Sequence, residues 1–94
     1  MLKTKVRPYP KSLLERMAET SGIIMKARAL VAMGMPELAL SAWCAAASGE
    51  EQVATRLETI DRYQEAAVHR ISAASCYQHA GELAKGINLY RANQ

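Results

Sequence analysis

The stretch Ala27–Trp43, ARALVAMGMPELALSAW, ends one helix and starts another. Gly34 suits the left-handed residue that closes a helix, and Pro36 suits a first helical turn, where its missing N–H costs nothing. Upstream, Leu13, Met17, Thr20, Ile24, Ala27 and Val31 share one face at ~100° per residue, which predicts a helix over 13–33. Ser12 and Glu15 have the spacing of a capping box at its start. Arg7-Pro8-Tyr9-Pro10 reads as extended, because each proline biases its predecessor away from helix. Gly22 lies inside the helix at a cost of about 1 kcal/mol relative to alanine, and is the place for a kink.

Downstream, a second helix is predicted over 36–47. Its alanines at 39, 42, 45, 46 and 47 let a neighbouring backbone come close, and Trp43 is its one large anchor. Ser48 and Glu51 repeat the capping-box spacing, so a third helix is expected from residue 50. Val53, Leu57, Ile60, Ala67, Ile71 and Ala74 keep one helical phase, with Gln64 and Gln78 on the same line. That phase predicts a single helix as far as residue 80, with Asp61–Gln64 the alternative place for a break. Gly81 is expected to end it in a left-handed conformation, before a last helix over 82–91 that carries Ile87, Leu89 and Tyr90. The fold class is therefore all-α: two antiparallel helical hairpins, about 12–47 and 50–92, closed as a four-helix bundle or stacked as an open pair.

Composition agrees with this. The chain has 94 residues, with 17 alanines, 5 glycines, 3 prolines and no phenylalanine. Such a mix favours helix over strand, and the length allows one small domain, taken as residues 12–94. A multi-domain enzyme and a disulfide-stapled toxin are not expected from these residues. The net charge is +3, but Lys3, Lys5, Arg7 and Lys11 fall in a first segment of eleven residues with no acid, which leaves the body near neutral. A basic tail of this kind is usually a solvated terminus, with at most a salt-sensitive hold on phosphate or an acidic partner. Nucleic acid is thus not the expected partner. No apolar run has the length of a signal peptide or a membrane span. The expected setting is the cytoplasm, with Cys44 and Cys76 as free thiols. Met17, Met25, Met33 and Met35 are expected as filler around the first helix.

The two hairpins echo one another at an offset of 47: Gly34 with Gly81, Ile24 with Ile71, Ala27 with Ala74, Leu40 with Ile87, and Trp43 with Tyr90. On these residues the chain resembles the tetratricopeptide-type helical repeat. The later hairpin carries the pattern best, in Ala73, Ala74, Tyr77, Gly81, Leu83, Gly86, Ile87 and Tyr90. Its run from Ala73 to Gly81 is also similar to the repeats of soluble NSF attachment proteins. The period of 47 departs from the usual ~34, and Asn93 stands where alanine is preferred. The resemblance implies a protein-binding role without catalysis. It also implies a groove lined by Ser21, Ile24, Arg28, Val31 and Ala32, then by Val68, Ile71, Ser75, Gln78 and His79.

That face continues the apolar stripe of Val53, Leu57 and Ile60. It holds more apolar surface than two hairpins readily hide, so it is assigned as a partner-binding or dimer face. A second copy is the commonest cover for such a patch, and a homodimer with the long third helix as its seam is expected. Competing chemistry is thin. Cys76 and His79 lie three apart on a helix, but one zinc needs four ligands, and His69 lies ~10 Å along the axis from Cys76; no metal or other cofactor is assigned. Arg62 and His69, seven apart, resemble the loosest form of the pair found in HEPN domains. That would imply a metal-free ribonuclease, with His69 in acid–base work and Arg62 on phosphate. It is kept as the alternative to a non-catalytic interaction module. No Ser/His/Asp set and no glycine-rich phosphate loop are present.

Overall fold

The computed structural model describes residues 8–92. Helices α1 (Lys11–Ala32), α2 (Pro36–Thr59) and α3 (Tyr63–Ala92) make up nearly all of it, and the described residues contain no strand. The chain is all-α. α2 is antiparallel to both neighbours: Ser12 meets Arg56 across α1 and α2, while Arg70 meets Glu58 and Arg91 meets Glu37 across α2 and α3. The described residues thus form three helices rather than the expected four, and in place of separate hairpins over 12–47 and 50–92 there are two that share α2. α1 and α3 both lie on it, with no Cα–Cα approach of 8 Å or less between them.

Both hairpin turns are the same device. Gly34 sits at φ 71°. Its N–H donates to the Val31 carbonyl at 3.0 Å, and the Met35 N–H donates to the Leu30 carbonyl at 2.9 Å. The second turn repeats this pattern, with Asp61 donating to Glu58 at 3.1 Å and Arg62 to Leu57 at 2.9 Å. Asp61 occupies the left-handed position at φ 61°. This is the Schellman closure, built once on glycine and once on a short polar residue that tolerates the region.

The helix ends differ from those expected in three places. Ser48-Gly49 is not a boundary. α2 runs through it, because Ala46, Ala47, Val53, Ala54 and Leu57 stay buried along its length and that burial outweighs one interior glycine. The break falls instead at 60–62, the alternative site. Gly81 ends nothing: α3 continues to Ala92, with Cys76, Ala80, Leu83 and Ile87 all at least half-buried on one seam. The echo at offset 47 thus pairs a turn glycine with a mid-helix glycine. The Ser12 box is not formed either. Pro10 is the N-cap, and Ser12 Oγ accepts from Arg56 Nη2 at 2.5 Å.

The core has two clusters with a polar waist between them. One holds Leu13, Val53, Ala54, Leu57 and Ala66, with Tyr9 and Met17 packed on it. The other surrounds Trp43 with Ala27, Leu30, Ala39, Ala46, Ala47, Cys76 and Ala80. At the waist, α1 and α2 touch through Thr20 and Gly49. A β-carbon on Gly49 would lie 2.5 Å from Thr20 Oγ1, and that hydroxyl donates to the Arg16 carbonyl at 2.8 Å. Glu50, 6% exposed, faces α3, where His69 Nδ1 lies 3.2 Å from its Oε1. Tyr9, expected in a solvated tail, is tied down: its hydroxyl donates to the Glu65 carboxylate, and Arg62 lies 4.2 Å over its ring. Of the basic positions of that tail, Lys11 opens α1, and Lys3, Lys5 and Arg7 lie outside the described residues. Met25, Met33 and Met35 are exposed rather than core filler.

Candidate protein-docking groove

Because α1 and α3 are held apart on α2, the end of the molecule near Pro36 opens as a groove of about 890 Å³. Arg28 and Val31 of α1 form one wall. His79, Leu83, Ile87 and Tyr90 of α3 form the other, and Met35, Pro36 and Leu38 of the hairpin close the end. Trp43 is its floor, 4% exposed. The alanines around Trp43 on α2 let α1 and α3 come close enough to clasp its indole. His79 stacks on that indole with ring centroids 4.4 Å apart and an interplanar angle of 23°. Val31, Met35, Leu38 and Tyr90 keep 47%, 45%, 56% and 69% of their surface exposed, a concentration of apolar surface at one end of a small chain. Arg91 Nη2 bonds Glu37 Oε1 at 2.7 Å across the closed end. The volume and the mostly apolar lining are those of a ligand or docking cleft rather than a packing defect.

The expected partner face is divided by the fold. Arg28 and Val31 line the groove, and Ile24 packs half-buried against the Trp43 cluster. Val53 and Leu57 are fully enclosed between the helices and cannot reach a partner without unfolding. Ile60 lies at the second turn. Val68, Ile71, Ser75 and Gln78 are all exposed on α3. At 100° per residue they fall on the side opposite the buried seam of Ala66, Ala73, Cys76 and Ala80. The single phase from Val53 to Ile71 was real as arithmetic, but the turn at 60–62 resets it. Leu38, Leu83, Ile87 and Tyr90 were absent from the expected face. For the three on α3 the signal was the 3-4 spacing of Ala66, Ala73, Cys76, Ala80, Leu83 and Ile87, which passes straight through Gly81.

The groups with chemical potential are committed elsewhere. Arg62 bonds Glu65 at 3.4 Å and covers Tyr9, while His69 is engaged by Glu50. The two therefore serve separate carboxylates. Cys76 is buried, and burial first, with Glu50 second, pushes its thiol above the ordinary range against an opposing pull from Arg28. Cys44 is exposed. The described residues hold no group of three or more His, Cys, Asp or Glu side chains arranged for a metal ion. No described helix is long and apolar enough to cross a membrane. Comparison of the chain with protein-family models, with curated proteins and with solved structures finds no significant match.

Proposed function

We propose that the chain is a non-catalytic protein-interaction module of the cytoplasm, of the kind that tetratricopeptide-like hairpins form, and that it docks a helix of a protein partner or of a second copy in the α1/α3 groove. The observation that carries this reading is the exposed apolar lining above the Trp43–His79 floor. Two parallel helices resting on a third leave a seat of helix width. An amphipathic helix with anchors at i, i+3, i+4 and i+7 fills such a seat. The ribonuclease alternative gains no support, since Arg62 and His69 are held by different partners.

A photo-crosslinking amino acid in place of Leu38, compared with one in place of Val68, tests the reading in the native cell. Leu38 lies in the groove and Val68 outside it. The Leu38 probe is expected to form a discrete protein adduct, and the Val68 probe far less. Adducts confined to Val68, or none at Leu38, would remove the groove from consideration.

A further inference from the structure

The groove carries opposite charges on opposite walls. Arg28 on α1 and Glu82 on α3 are both exposed and both line it. Among the described residues neither makes a hydrogen bond or an ion pair, whereas Arg70, Arg91, Glu37 and Glu58 are all spent on one another. Two copies can meet face to face about either of two axes. An axis across the groove sets α1 on α1 and brings Arg28 against Arg28. An axis along the groove sets α1 of each copy on α3 of the other, so that each Arg28 faces a Glu82 and each Val31 faces the Leu83–Ile87 ridge. The walls are self-complementary only in the second arrangement, which is the requirement for an isologous interface. The groove itself, from His79 to Arg91 along α3, spans roughly 20 by 18 Å in projection. That is about 360 Å² per copy, the size of a weak, concentration-dependent interface.

We propose that this groove is the seam of a two-fold homodimer whose axis runs along it, Arg28 of each copy pairing with Glu82 of the other and α1 and α3 of both copies closing a four-helix bundle. The proposal rests on the groove being a docking surface and names a second copy as its occupant. Each charge pair occurs twice, so one substitution acts at two places. Both residues are exposed, so their reversal leaves the fold intact, as far-UV circular dichroism would verify.

The test is sedimentation equilibrium of the full chain across the micromolar range. The wild type is expected to approach twice 10.3 kDa as concentration rises. Arg28→Glu and Glu82→Arg should each raise the dimer Kd by about tenfold or more, and the double reversal should bring it back to within about threefold of wild type. A mass of 10.3 kDa up to about 100 μM overturns the proposal. So does a dimer indifferent to both single reversals, or one that the double reversal fails to restore. If the chain is monomeric but the Leu38 photo-probe captures a different protein, the docking groove stands and the homodimer falls. If that probe captures nothing, the docking reading falls as well.

Discussion

Gly49→Ala measures how closely α1 and α2 approach. The new β-carbon would stand 2.5 Å from Thr20 Oγ1 and 3.1 Å from its Cγ2. Thr20 is 1% exposed, and its hydroxyl is held by the Arg16 carbonyl at 2.8 Å. Rotating Oγ1 out of the way breaks that buried bond, at about 1–3 kcal/mol. Keeping it requires the helices to part, at a similar cost. Against this, alanine in a helix interior gains roughly 1 kcal/mol over glycine. The net expectation is a loss of up to about 2 kcal/mol, or up to roughly 15 °C in Tm for a domain of this size. Gly22 and Gly81 are the controls. Nothing lies within 4 Å of a β-carbon at either, so alanine there should raise Tm. Adding Thr20→Ala to Gly49→Ala should recover much of the loss, which a double-mutant cycle by thermal melting would read as a coupling of about 1 kcal/mol or more. If Gly49→Ala is as stabilising as Gly81→Ala, the close crossing at Thr20 does not exist.

Four other outcomes follow from the same structure. Leu57→Lys should unfold the chain rather than yield a folded monomer, because a fully buried leucine becomes a buried charge at more than about 3 kcal/mol; a native circular dichroism spectrum would refute this. Asp61→Gly should stabilise by about 0.5–1 kcal/mol, since glycine relieves the left-handed strain at the second turn, less what the Tyr63 hydroxyl loses with its 3.0 Å bond to Asp61; a lowered Tm would show that this bond dominates. Under native conditions one equivalent of iodoacetamide should label Cys44, with Cys76 reacting only on unfolding. Because the folded Cys76 thiol is held above its unfolded value, its contribution to stability is complete below the ordinary thiol pKa and is lost as pH rises through the folded one; mass spectrometry and alkaline melts read both effects. His69→Ala should cost about 1–2 kcal/mol by leaving Glu50 buried without its partner, and RNA incubated with either protein should stay intact; cleavage that disappears in the variant would establish the ribonuclease alternative.

Helix identity was legible wherever local chemistry and burial agreed. Gly34 and Pro36 punctuate the first turn as their backbone preferences require, and Leu13, Thr20 and Ala27 form the buried face of α1. Local signals misled where packing overrode them. Ser48-Gly49 has the composition of a helix start, but Gly49 is small because Thr20 lies against it. Gly81 resembles a helix stop, yet it faces open space on a helix whose opposite side stays packed. The second turn was hardest to find, because Asp61 takes a role usually filled by glycine. A continuous helix, preferred over the alternative break at Asp61–Gln64, groups Val53 and Leu57 with Val68 and Ile71. The former are core of the hairpins and the latter lie on the outside of α3. The groove was half visible: Arg28, Val31 and His79 were named for it, but Leu83, Ile87 and Tyr90 needed the correct register of α3.

Methionine oxidation is the most direct test of the groove as a docking surface. Met35 lies in the groove at 45% exposure and Met25 outside it at 70%. In the dilute purified chain, peroxide should oxidise both. In the assembled protein of a native extract, Met35 should be protected several-fold while Met25 is unchanged, as expected if an occupant buries only the groove. Equal oxidation of both in the assembled protein, or protection of Met25 alone, would contradict the account.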